Sequence, residues 1–187
     1  MSRRDIPNLL TVLRILLVGP VIWLLAEERY GQALLVFAIA GVSDGLDGYL
    51  AKRNGWITRL GSFLDPLADK MLLVGSYVAL GWTGLLPVWL VLLILGRDLV
   101  IVSGALAFHL LVGRFEAEPT AISKINTFTQ IVLVLLVVSG ELVAGIPTTA
   151  IEAVTFCVVV TTIASGVGYV WAWSQRAHRV SREDRTR

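Results

Sequence analysis

Four aspartates carry the chemistry that this sequence offers. Asp44 and Asp47 stand three residues apart, and Asp65 and Asp69 four apart. Each spacing puts both members of a pair on one face of a helix. The flanking segments are almost wholly apolar, and carboxylates at the edge of a bilayer are costly without a counter-charge. Lys52 or Lys70 would neutralise one acid each, and Asp65 before Pro66 reads as a helix N-cap with the proline in the first turn. Such local roles explain any one of the four acids but not all of them together. A pair of hard divalent ions does: Mg²⁺ or Mn²⁺ takes oxygen ligands, and two ions about 3.5–4 Å apart clamp both ends of a phosphoryl displacement. One acid freer than the rest would then act as a base. Gly48 and Ala51 continue the Asp44–Asp47 face by one turn and leave room for a bulky group beside the helix.

The elements that must hold these acids follow from composition. The chain has 187 residues, 56% of them hydrophobic, and a mean hydropathy of +0.75. That is too apolar for a soluble domain of this size. Six apolar blocks are predicted as transmembrane helices: Ile6–Ala26, Gln32–Lys52, Asp65–Trp82, Pro87–Val112, Thr120–Ser139 and Thr148–Gln175. The expected fold is all-α and integral to the membrane, a single domain over residues 1–187 with a basic tail from about residue 176. Arg14 and Pro20 inside the first block fit a cleavable signal poorly. The lone Cys157 excludes a disulfide framework. The connection Asn54–Gly61 is short and polar, with Gly55 and Gly61 as turn residues, so spans two and three are antiparallel and present their carboxylates at similar depth.

Basic residues give the orientation. Arg3, Arg4, Lys52, Arg53, Arg59, Arg114 and the arginines at 176, 179, 182, 185 and 187 all fall on one side of the six spans, whereas the other side holds only Arg29. The positive-inside rule places both termini and the aspartates at the cytoplasmic face, in the inner membrane if the source is bacterial. The basic tail would lie against anionic headgroups. No nucleic-acid partner is expected.

Further polar residues lie within the spans. Asn8 and Thr11 sit at the entrance of the first, and Arg14 about 12 Å in, where it either snorkels to the headgroups or faces a polar cavity. Arg97-Asp98 lies in the fourth span, about 15 Å from its outer end. The pair reads either as a local packing device or, through Arg97, as an anion site. Ser123, Lys124, Thr127 and Gln130 open the fifth span. They are either interfacial or, at Lys124, part of a phosphate site. Glu116 and Glu118 read as a solvated loop.

Taken together, Asp44-x-x-Asp47-Gly48-x-x-Ala51-Lys52, eight residues, then Gly61-x-x-x-Asp65-x-x-x-Asp69 resembles the signature of the CDP-alcohol phosphatidyltransferases, D-x2-D-G-x2-A-R-x8-9-G-x3-D-x3-D. Lys52 stands where that pattern has arginine, with Arg53 beside it. The resemblance implies a six-helix, homodimeric membrane enzyme. Its two divalent ions would be held by Asp44, Asp47 and Asp65 and by Asp44, Asp65 and Asp69, with Asp69 also the catalytic base. By the same resemblance, CDP-diacylglycerol would bind at Asn8, Thr11, Gly48, Ala51, Lys52, Arg53, Thr58 and Gly61. Arg14, Arg97 and Lys124 are candidates for the acceptor phosphate. The runs Asn8–Arg14, Gly96–Asp98 and Pro119–Gln130 look like the CMP-forming cardiolipin synthase branch, whose acceptor is phosphatidylglycerol. The sister phosphatidylglycerophosphate synthase branch uses glycerol 3-phosphate. An intramembrane prenyltransferase would need more spans and other aspartate spacings. A divalent-ion transporter would need a polar path through the outer halves of spans two and three, which are apolar.

Overall fold

The structure is a computed structural model describing residues 6–54, 59–111, 120–143 and 145–183; side chains at 6–8, 47–54, 59–63, 105–111, 173–174 and 176–183 lie outside that description. Among the described residues all regular structure is helical. The helices are α1 (Ile6–Ala26), α2 (Tyr30–Asn54), α3 (Arg59–Trp82), α4 (Val88–Leu111), α5 (Ala121–Gly140) and α6 (Thr148–Glu183). Three segments among the described residues are long and apolar enough to cross a membrane: Leu9–Ala26, Ala121–Gly140 and Thr148–Ala172. Charges explain why α3 falls short, since it carries Asp65, Asp69 and Lys70, and α2 contributes the shorter apolar stretch Tyr30–Leu46. The outward surfaces are apolar, with Leu16, Leu35, Leu92, Phe128, Phe156 and Val167 all more than half exposed. Such a surface suits lipid rather than water.

Two expectations about α3 are corrected. The helix starts at Arg59, so Gly61 lies within it and is not a turn residue, and Pro66 is an interior residue. Asp65 is therefore not an N-cap: instead of folding back on its own helix, its carboxylate accepts a hydrogen bond from Thr11 of α1. An interior proline deletes one backbone hydrogen bond, a loss that helices in apolar surroundings tolerate when neighbours re-satisfy the freed group. α6 continues past the predicted end of the sixth span to Glu183, since its last stretch holds no glycine or proline to stop it.

The chain divides into two compact units, Met1–Val88 with Val134–Ile146, and Trp89–Leu133 with Pro147–Arg187. In the first, α1 packs against both α2 and α3, burying Val21, Leu24, Leu25, Phe37, Ala40, Leu72 and Leu80. Gly75 lets α1 and α3 approach closely, because a Cβ there would lie 2.6 Å from Cδ1 of Ile22. The turn between α1 and α2 is tight. Glu28 adopts a left-handed conformation (φ 57°), and its amide and that of Arg29 donate to the carbonyls of Leu25 and Leu24. This is the hydrogen-bond pattern of a Schellman cap. Arg29 also lies over the ring of Trp23, 5.6 Å from its centroid.

Candidate active site

One guanidinium organises the first unit's polar end. Arg14 is fully buried, whereas Asp44 and Asp69 keep 44% and 45% of their side chains exposed. Nη2 of Arg14 donates to Oδ1 of Asp44 at 2.7 Å and Nη1 to Oδ1 of Asp69 at 2.8 Å. One turn away, Oγ1 of Thr11 donates to Oδ1 of Asp65 at 2.5 Å. Positions 11 and 14 share a face of α1, and positions 65 and 69 share a face of α3. The two helices thus meet through matched polar faces, and Asp44 of α2 completes the cluster. A buried cation alone would be costly, but two carboxylates compensate this one. Both partners are half exposed, so the pairs contribute less to stability than fully buried ones. Their exposure leaves the carboxylates reachable from outside.

The arrangement gathers three of the four predicted acids, with Arg14 bridging Asp44 and Asp69. The side chain of Asp47 lies outside the described residues. Among the described residues no group of three or more His, Cys, Asp or Glu forms a metal-ligand set. The donor chemistry still fits a hard divalent ion: the donors are all carboxylate oxygens, they come from two helices, and two of them already converge on one positive group.

A sequence profile of CDP-alcohol phosphatidyltransferases matches residues 4–175. The chain belongs to this family. Among its relatives is the rat (Rattus norvegicus) cardiolipin synthase (CMP-forming), 34% identical over 182 residues and matching 88% of this chain and 60% of the rat protein. The protein of the same description from Streptomyces coelicolor is 41% identical over 112 residues, 56% of this chain and 52% of that protein. A probable phosphatidylglycerophosphate synthase of Mycobacterium tuberculosis is 35% identical over 178 residues, 89% of this chain and 80% of that protein. The chain thus spans about half to three-fifths of these two cardiolipin synthases and four-fifths of the mycobacterial protein.

As a CDP-alcohol phosphatidyltransferase, the chain places its other predicted site residues as follows. Thr11 is fully buried and engaged with Asp65, which makes it a support for that acid. Gly48, Ala51, Lys52 and Arg53 continue α2 beyond the aspartates, Gly61 lies in α3 and Asn8 in α1; their side chains, and all of Thr58, lie outside the described residues. Arg14 joins the acids and does not reach out to the headgroups.

Arg97 lies in the second unit, nine-tenths buried. Its Nη1 donates to Asp98 at 2.8 Å, and Nη2 donates to Ser123 at 2.8 Å and also to Ser165. The ring of Tyr169 lies 5.9 Å from the guanidinium carbon. The expected local packing role is thus present, and it joins α4 to α5 and α6. Lys124 is exposed at the start of α5. Below it, Oδ1 of the buried Asn126 accepts from Thr161 at 3.0 Å and from Thr162 at 2.8 Å. Sequence reasoning singled out Arg97 and Ser123 but not Ser165, Thr161 or Thr162. Single small hydroxyls within an apolar helix carry no spacing signal until their partners on other helices are known.

Proposed function

We propose that the chain transfers the phosphatidyl group of CDP-diacylglycerol to a hydroxyl of phosphatidylglycerol, giving cardiolipin and CMP. The observation that carries the donor half is the convergence of Asp44, Asp65 and Asp69 on Arg14 and Thr11. Support for the acceptor comes from the relatives described as cardiolipin synthases (CMP-forming). Phosphatidylglycerophosphate synthesis, with glycerol 3-phosphate as acceptor, is the second reading, favoured by the larger share of the mycobacterial relative that the chain spans.

In this mechanism Asp44, Asp47 and Asp65 would hold one divalent ion and Asp44, Asp65 and Asp69 the other. When bound, the ions supply charge neutralisation to the pyrophosphate and to departing CMP. Arg14 fixes the rotamers of Asp44 and Asp69, so the acids are oriented before substrate arrives. Thr11 does the same for Asp65. Asp69, anchored through Oδ1 and half exposed, accepts the proton of the acceptor hydroxyl. The freed oxygen attacks the phosphorus that carries diacylglycerol, a new P–O bond forms, and the bond to CMP breaks with the electron pair leaving on CMP. Catalysis of this kind is mainly positioning and charge stabilisation. Gly48 and Ala51 leave the cytidine nucleotide space along α2, with Asn8, Lys52, Arg53, Thr58 and Gly61 around it. Arg97 and Lys124 serve the acceptor phosphate.

Six membrane spans, with both termini and the aspartates cytoplasmic, complete the proposal, on the strength of the one-sided basic residues. The working unit is a homodimer, as the family resemblance implies. Purified protein given CDP-diacylglycerol and, in turn, phosphatidylglycerol, glycerol 3-phosphate, inositol phosphate or serine should make cardiolipin alone. Phosphatidylglycerophosphate as the product would instead establish the second reading.

A further inference from the structure

The second unit contains a cavity that the donor chemistry does not use. It lies between α4 and α6 and has a volume of about 630 Å³, within the ~300–1,000 Å³ range of small-ligand sites. Its walls are two helix faces: Leu92, Gly96 and Val100 on α4, and Ile163, Val167 and Trp171 on α6. Each set repeats every four residues, so each runs about 12 Å along its helix. A groove elongated along a membrane-spanning helix has the direction in which lipid tails lie. The groove is open at Gly96, where a Cβ would meet nothing within 4 Å.

Among the described residues Arg97 is the one charged residue in this wall. Both its Nη atoms are engaged, but its buried Nε has no hydrogen-bond partner among them. A buried donor left unmade is costly and calls for an acceptor. An apolar trough whose one charged donor is Arg97 matches an acyl chain attached to a phosphodiester. It does not match a small polyol phosphate, whose several polar groups would meet an apolar wall. We propose that this groove binds an acyl chain of the phosphatidylglycerol acceptor, with the lipid phosphate accepting a hydrogen bond from Nε of Arg97. The inference rests on the cardiolipin reading and makes that reading specific, since it gives the acceptor's tail a binding groove of its own.

The test uses the full chain in detergent with phosphatidylglycerol that carries a diazirine in its acyl chain. Peptide mapping locates the photolabel, while cardiolipin formation is measured on the same preparation. The label should fall on α4 and α6 between Leu92 and Val100 and between Thr162 and Trp171. Unlabelled phosphatidylglycerol should compete it away, and phosphatidylcholine should not. Gly96→Leu fills the groove without a packing clash at Cβ. It should abolish the label and raise the KM for dioleoyl-phosphatidylglycerol about tenfold or more, the effect of denying several methylenes their burial. Its binding of CDP-diacylglycerol should stay unchanged.

Cardiolipin formation with no label on these helices would overturn the groove and leave the proposed reaction standing. That would be the result if a second copy of the chain filled it. Equal labelling by a phosphatidylcholine probe would also overturn it, marking an ordinary lipid contact. Label competed by phosphatidylglycerol, but without any cardiolipin, would support the groove and sink the proposed reaction instead.

Discussion

Asp69 is asked to do two things, to help hold an ion and to take a proton, and these can be separated. Asp69→Asn keeps the shape and one oxygen donor but removes the base. Turnover should fall by about 10²–10⁴, the usual worth of a positioned base, while CDP-diacylglycerol binding is largely retained. Equal loss of both would make Asp69 chiefly a ligand. Arg14 tests the orientation of the acids. A lysine keeps the charge but not the planar fork that reaches two carboxylates at once. Arg14→Lys should therefore lower kcat about tenfold, the scale of one charged hydrogen bond, with the protein still folded. Unchanged kcat would show that Asp44 and Asp69 need no tether. The four aspartates were legible in the sequence because their spacing is a pattern. The link from Arg14 to two of them was not, because a cation in the middle of an apolar helix gives no hint of which neighbouring helix it faces. Thr11 and Arg14 read separately in the sequence, one as an entrance residue and one as a lone cation, and the structure puts both on the face of α1 that meets the acids.

The helices themselves were largely legible, and the errors have physical causes. The predicted ends of α1 coincide with the observed ones, and those of α2, α4 and α5 differ by only one or two residues. α3 begins six residues before the predicted start because a proline was read as a beginning. Asp65-Pro66 has the residue types of a cap, but Thr11 competes for the same carboxylate and wins. Close packing of α1 on α3 depends on Gly75, which local sequence gives no reason to single out. Gly75→Leu would drive its branches into Ile22 and Val18 and should destabilise the protein by about 1–3 kcal/mol, the range for overpacking. Thermal unfolding in detergent should show a lower Tm. Gly75→Ala should be much milder, since Cδ1 of Ile22 can swing aside and alanine favours the helix. A Tm for Gly75→Leu equal to wild type would mean that the α1–α3 contact is looser than described.

At the scale of the whole molecule, long apolar blocks mark a membrane protein and one-sided arginines predict its orientation, because hydropathy and charge act over whole segments. Among the described residues three helices meet the length and hydropathy of a span. α2 and α3 carry the site's charges, and in α3 the same charges that make the chemistry weaken the hydropathy signal. The surroundings of Arg97 were the least legible part, because its hydrogen bonds join α4 to α5 and α6 and no single run of sequence displays them. The most direct measurement combines the ions, the donor and the acceptor. Purified protein is stripped of divalent ions and supplied with CDP-diacylglycerol and phosphatidylglycerol. CMP and cardiolipin are then quantified together, with and without added Mg²⁺ or Mn²⁺. The expected result is no turnover in the stripped sample and, on adding either ion, CMP and cardiolipin in equal amounts. Undiminished turnover in chelator, or CMP released with no cardiolipin formed, would contradict it.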